Sequence, residues 1–408
     1  MKKLNILIRG WDLHHSYGVV NCCQIVHFEK YFKDTVHIVF QEMPFFNPNW
    51  KKKPDVFPPD YEEILKNIEK YDDKKTYDFD LIYNITFPYI VEYDSKFKNI
   101  KKYVFYTSEY KTLSYTFFKD GFSNASIRYI INQDDTLHFV GPCKWSCEGL
   151  DDLIPEKSEQ NHCVVLGVDS NVFKKDITSR QEIRTKYKIK DDEILIANIG
   201  SMSGNKNIHM LLASLYNITR TDKKWKLLLK GSGDLYRSTD LMKNTINLLK
   251  NQTKTNIDDF IKEHVIFIDN TLSCHVLNNL YNACDLYTAP YLMEGFGLTP
   301  LEALSAGLPV LVPETGSTQD YINDISSHCN TEKMIYKVKS TVIKANINTP
   351  EKYSYINDIK LEDIIDTMLS FKRNGPANSE SIRQVYDYIG QNYSWKNSCQ
   401  QLLNIFQK

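Results

Sequence analysis

Short apolar runs alternate with stretches whose apolar residues return every three or four positions along nearly the whole chain. That rhythm predicts parallel strands joined by helices that cover both faces of a sheet. In the first half the predicted strands are residues 4–8, 36–40, 81–85, 103–106, 138–140 and 163–166. In the second half they are 194–199, 226–229, 265–268, 286–289 and 310–312. Ile208, Leu211, Leu212 and Leu215 mark one apolar helix face between them, and Val276, Leu277, Leu280 and Tyr281 mark another. The pattern breaks after Phe173, where a charged segment, 174–192, begins. The expected division is therefore a first domain over 1–172, a second over 173–385 and a closing helix within 386–408. Residues 320–375 fit the rhythm least and are expected to be irregular connections and helices.

At 408 residues the chain is long for one core, and 42 % hydrophobic residues suffice for two. Lys and Arg number 50 against 51 acidic residues, so no global field recruits nucleic acid. Nine cysteines lie scattered without CxxC pairs, which suits reduced thiols in a cytoplasmic protein. The start Met-Lys-Lys-Leu-Asn-Ile-Leu-Ile lacks the apolar run and cleavage site of a secretion signal, and no window approaches the ~20 apolar residues that span a bilayer.

The chemistry concentrates at Glu294-Gly-Phe-Gly-Leu-Thr-Pro-Leu-Glu302, two carboxylates with a glycine turn between them at the start of a helix. Gly295 and Gly297 let backbone N–H groups approach a ligand, and a helix beginning near Thr299 or Pro300 aims unpaired amides at it, which favours an anion. Ionised carboxylates only accept hydrogen bonds, so Glu294 and Glu302 must face hydroxyls beside that anion. A nucleotide sugar has both parts. The segment, with the Gly-x-Pro-Val strand behind it, resembles the E-x7-E signature of retaining glycosyltransferases of family 4. Gly167-Val-Asp-Ser-Asn-Val-Phe173 is similar to the element that closes the first domain in that family, and Tyr393-Ser-Trp395 begins what looks like its final helix.

The resemblance implies the α/β GT-B architecture, two Rossmann-like doubly wound domains facing a central cleft, the first on the acceptor side and the second binding the nucleotide sugar. It implies transfer of a hexose-type sugar, with retention and without a metal or cofactor, from a UDP- or GDP-linked donor. The acceptor is a hydroxyl of a glycan, lipid or protein. Lys206 matches the family's lysine on the donor diphosphate, whereas Ser201 stands where an arginine would complete the clamp. Lys230, before Gly231-Ser-Gly233, is the nearest replacement by motif. Gly231, Phe296, Gly297, Leu298 and Thr299 fall on the donor-binding turns, with Glu294 on the donor sugar and Glu302 on the ribose. Gly18 matches the glycine-rich loop of the first domain, where Asp12, His14 and His15 are acceptor-side candidates or incidental loop residues. Tyr106 stands where many relatives place a histidine, and it is either a donor-side hydroxyl or core packing, with Glu109 as the alternative polar group.

Other motifs carry less. Gly200 and Gly204 are not followed by the Gly-Lys-Ser/Thr of a phosphate loop. Asp78-Phe-Asp80 spells the D-x-D of metal-dependent transferases but precedes its strand, at the wrong end for the ligand side. Phe45-Phe-Asn-Pro-Asn-Trp-Lys-Lys-Lys53 is either a solvated loop or a peripheral membrane contact. Another nucleotide-sugar enzyme, such as an epimerase, and a catalytically silent sensor or assembly subunit are the competing readings.

Overall fold

The computed structural model describes residues 3–14, 16–45, 47, 50, 52–91, 97, 99–119, 124–345 and 354–408. The chain divides into two units. The first joins Met1–Gly167 with Lys344–Tyr355 and Tyr393–Lys408, and the second joins Val168–Ile343 with Ile356–Asn392.

The first unit is built on a seven-stranded parallel sheet whose order is Glu69–Lys70, Val36–Glu42, Leu4–Gly10, Leu81–Ile85, Lys101–Phe105, Leu137–Gly141 and Asn161–Cys163. Its central strands are near-continuous apolar runs because both faces are covered, and Ile6, Leu7, Ile8 and Ile82 are fully buried. Two edges differ from the sequence expectation. Lys101 and Lys102 belong to their strand despite their charge, because the 2 %-exposed Lys102 bonds Asp134 (2.8 Å) and Thr136 (2.6 Å). The last strand ends at Cys163, and Val164 and Leu166 are buried beyond the sheet.

The second unit carries a six-stranded parallel sheet in the order Val265–Ile268, Trp225–Lys230, Ile194–Ile199, Leu286–Thr288, Val310–Pro313 and Ile335–Val338. The last strand lies in the segment expected to be irregular. Both predicted helices form, Ile208–Thr219 and Cys274–Ala283, each burying its predicted stripe except for Val276, which is half-buried. The charged segment after Phe173 is mostly a helix, Ile177–Lys186, capped by the Asp176 carboxylate on the Thr178 and Ser179 amides. Its Arg180 and the buried Arg184 both reach Asp285, at 2.6 and 3.2 Å. Two charges of this segment, Arg180 and Arg184, are thus tied to Asp285, while Lys174, Lys175, Glu182, Lys186, Lys188 and Lys190 are exposed.

The final helix, Trp395–Phe406, packs within the first unit, where Phe406 meets Tyr103 (4.7 Å between ring centres) and Tyr83 (5.5 Å). Gly167 allows the chain to pass: a Cβ there would lie 2.2 Å from the Trp395 nitrogen. Phe406→Ala is expected to cost about 3–5 kcal/mol, read as an earlier chemical-denaturation transition of the first unit. An unmoved transition would mean that this helix contributes no core.

Candidate functional site

In each sheet the strand order reverses direction beside its first strand, and ligands of open α/β sheets bind at that switch point beyond the carboxyl ends. In the second unit the switch lies between Ile194–Ile199 and Leu286–Thr288, whose following loops diverge. Those loops are sewn together at their bases. Asn207, held left-handed at φ 56°, donates from its side chain to the Pro290 carbonyl (3.1 Å), and the Asn205 carbonyl accepts from the Leu292 amide (2.9 Å). The stitch brings Lys206 onto Glu294, where ammonium and carboxylate pair at 13 % and 17 % side-chain exposure. The Lys206 Nζ also sits 4.2 Å from the centre of the Tyr291 ring.

Glu294 opens the turn that ends in the helix Leu298–Ser305. Its Oε1 accepts from the Gly295 amide at 3.0 Å. Gly297 takes φ 90°, and a Cβ there would lie 2.8 Å from Thr318 Cγ2, so both backbone and space demand glycine. Tyr321 donates to the Gly297 carbonyl (3.0 Å) and packs its ring against the buried Phe296. The Phe296 side chain therefore shapes the turn from inside. Thr299 Oγ1 accepts from Tyr287 at 2.8 Å, and Leu298 is half-buried.

A third wall follows the strand Trp225–Lys230. Ser238 accepts from the Ser232 amide (2.8 Å) and donates to the Ser201 carbonyl (3.0 Å), closing this loop against the one that carries Lys206. Gly231 is forced by the same contact, since its Cβ would lie 2.4 Å from that of Ser238. Ser201, where a clamp arginine was looked for, bonds Ser203 at 2.6 Å. Lys230 is 8 % exposed and its charge acts on Glu302.

Glu302 accepts a 2.7 Å hydrogen bond from Tyr281. Burial pushes its carboxyl up to about 7, and the Tyr281 hydroxyl and Lys230 hold it from going higher. Beneath the site, Tyr281, Tyr287 and Tyr291 are all raised by burial and serve as neutral donors.

The structure thus gathers Lys206, Lys230, Gly231, Glu294, Phe296, Gly297, Leu298, Thr299 and Glu302 at one end of the second sheet. Gly18, Tyr106 and Glu109 belong to the first unit. Gly18 lies in the first turn of the helix Ser16–Tyr31, and a Cβ there would come within 2.0 Å of the Leu13 carbonyl oxygen. Tyr106 is fully buried and donates to Asn161 (2.7 Å), and burial raises its pKa well above the usual value, so core packing describes it. Glu109 is half-buried, its carbonyl accepts from Trp145, and its charge adds a smaller push to the burial that raises Tyr17, Tyr89 and Tyr110. His15 lies outside the described residues, and the His14 ring packs 5.8 Å from Phe57.

Asp12 is paired with Lys52 at 2.7 Å. In the aromatic loop, Phe45 packs on Trp11 and Trp50. The Asp80 carboxylate accepts from the Asn5 amide at the amino end of the first sheet, away from its ligand side. Among the described residues, no group of three His, Cys, Asp or Glu side chains is placed to hold a metal ion, and no helix is long and apolar enough to cross a membrane. Sequence reasoning missed Tyr281, read only as part of an apolar face, and Ser238, which no motif marked.

Over its full length the chain resembles a glycosyltransferase from Rickettsia africae, with TM-score 0.66, 14 % identity and coverage of 100 % of this chain and 98 % of that one. It also resembles Anabaena HepE solved with UDP and glucose, with TM-score 0.63, 14 % identity and coverage of 99 % and 100 %. These likenesses define the fold as GT-B, a glycosyltransferase architecture of two Rossmann-like units. Residues 179–339 match the family described as glycosyl transferases group 1.

Among curated proteins, alpha-monoglucosyldiacylglycerol synthase of Streptococcus pneumoniae is 26 % identical over 187 residues, 45 % of this chain and 38 % of that protein. An uncharacterized glycosyltransferase of Methanocaldococcus jannaschii is 27 % identical over 139 residues, 34 % of this chain and 32 % of that protein. The chain thus spans about a third of the length of these two relatives in alignment.

Gly297→Ala is expected to destabilise the second unit by about 1–3 kcal/mol, because the new methyl meets both a left-handed backbone and Thr318. Chemical denaturation checks it, and an unchanged midpoint would show that the turn relaxes freely.

Proposed function

We propose that the protein is a retaining, metal-independent glycosyltransferase that moves a hexose-type sugar from a UDP- or GDP-linked donor to an acceptor hydroxyl of a glycan, lipid or protein. The observation that carries this reading is the Lys206–Glu294 pair at the mouth of the helix that bears Glu302. A partly buried pair of this kind gains little for the fold, since two charges lose hydration to form it. Its chemistry suits a ligand that separates the two: a diphosphate for Lys206 and the helix amides, and sugar hydroxyls for Glu294. The ribose hydroxyls then fall to Glu302. HepE, solved with UDP-glucose, supports a UDP-linked donor for this architecture.

In the reaction the anomeric carbon loses its bond to the diphosphate oxygen and gains one to the acceptor oxygen on the same face. The acceptor proton passes to the departing diphosphate, whose charge Lys206 stabilises as it develops. No protein base is required, which agrees with a Tyr106 hydroxyl that is buried and engaged with Asn161. The reading places the enzyme in the cytoplasm, where nucleotide sugars are made. The packed Phe45 and the paired Lys52 favour a solvated loop over a membrane contact there.

Incubation with a panel of UDP- and GDP-sugars is expected to release nucleoside diphosphate slowly without acceptor. No release and no binding across the panel would favour a silent protein. Lys206→Ala should lower kcat on the order of 10²–10³-fold, more than it weakens donor binding. Lys230→Ala should act mainly on nucleotide affinity, through Glu302. Equal loss of kcat in both would place Lys230 on the diphosphate instead.

Turnover is expected to survive EDTA. Loss that Mn²⁺ or Mg²⁺ restores would overturn the metal-free mechanism and return attention to Asp78 and Asp80.

A further inference from the structure

We propose that Tyr281 is the positioning residue of the nucleotide site, its hydroxyl holding one carboxylate oxygen of Glu302 so that the other is presented to the ribose hydroxyls. The inference rests on the donor reading above. Tyr281 lies on the helix Cys274–Ala283 with no exposed surface, and its hydroxyl donates to Glu302 Oε2 at 2.7 Å. Its ring is gripped edge-on by Phe173 (5.9 Å, 70°) and Tyr287 (5.7 Å, 60°). The Phe173 carbonyl is in turn fixed by Ser305 Oγ at 2.6 Å. Ser305 lies on the helix that carries Glu302, so the contacts form a closed ring: Glu302, Tyr281, Phe173, Ser305 and back along one helix turn. Phe173, the last residue of the Gly167–Phe173 element and a member of the second unit, thereby acquires a task.

Two groups act directly on Glu302, Tyr281 from its helix and Lys230 from the neighbouring strand. Tyr287 and Tyr291 face Tyr281 and remain neutral. Arg180 and Asp285, which line a 480 Å³ cavity with Tyr281, are paired with each other. Lys206 and Glu294, at the start of the same helix, are likewise paired. A hydrogen bond donated to the charged form of a carboxyl favours that form. Burial raises Glu302 and the Tyr281 hydroxyl and Lys230 oppose it, leaving the carboxyl at about 7. Ribose binding that uses the ionised carboxylate therefore strengthens as pH rises through about 7. Removing the hydroxyl moves that rise to higher pH.

The test is an infrared titration of the ligand-free protein, with the Glu302 band assigned by its loss in Glu302→Gln, joined to nucleotide-sugar binding at pH 7 and 9. Tyr281→Phe, which deletes one oxygen, is expected to raise the carboxyl midpoint by about one pH unit. It should weaken binding roughly fivefold at pH 7, recover most of the loss at pH 9, and add nothing in the Glu302→Gln background. A merely structural tyrosine would lower thermal stability and weaken binding equally at both pH values with the midpoint unmoved, which overturns the proposal. A shifted midpoint with binding untouched by Glu302→Gln would overturn the ribose assignment beneath it.

Discussion

The reversal of strand order beside Ile194–Ile199 is the constraint on which the candidate site depends. Strands on either side of that line send their connections to opposite faces, so the loops after Ile199 and Thr288 part and leave a crevice. Left alone, two such loops would move independently. Asn205 and Asn207 prevent it by bonding the backbone of the opposite loop, and Asn207 does so from a left-handed conformation that asparagine tolerates better than most residues. Only with the loops tied can Lys206 and Glu294 meet at low exposure. A charge pair formed there loses water to make its contact, an arrangement suited to exchange with a ligand.

Around the pair, the second unit replaces water with hydroxyls. Tyr281, Tyr287, Tyr291 and Tyr321 bring their apolar rings into the core and their donors to the underside of the turn 294–299 and its helix. Burial raises Tyr281, Tyr287 and Tyr291 above the usual phenol range and so keeps them protonated as donors. The carboxylate of Glu302 feels the same low dielectric with the opposite consequence, and its charge becomes conditional. One environment thus makes dependable donors of the tyrosines and a titrating acceptor of the glutamate.

The first unit uses its conspicuous residues differently. Gly18 makes room for the Leu13 carbonyl, Tyr106 closes a buried network through Asn161, Cys147 and Asp151, and Asp12 is paired with Lys52. Each sits near the carboxyl side of a strand, where a motif search looks for ligands. Their contacts are with the protein itself.

What the sequence determined by itself was whatever depends on neighbours in the chain. Runs such as Leu195–Ile199 and Leu227–Leu229 had to be buried strands, the spacing of Leu211, Leu212 and Leu215 had to be a helix face, and Gly297 before a helix start had to be a special turn. The E-x7-E pattern was legible for the same reason, since turn and helix are local. Tertiary structure alone decided that Arg180 and Arg184 after Phe173 reach Asp285, that Lys102 is a strand residue, and that Tyr281 spends its hydroxyl on Glu302. Each of those outcomes joins residues 21 to about 105 positions apart. Local pattern reports whether a side chain is apolar enough to be buried; which polar atom awaits it there is set by distant segments that only the folded chain brings together.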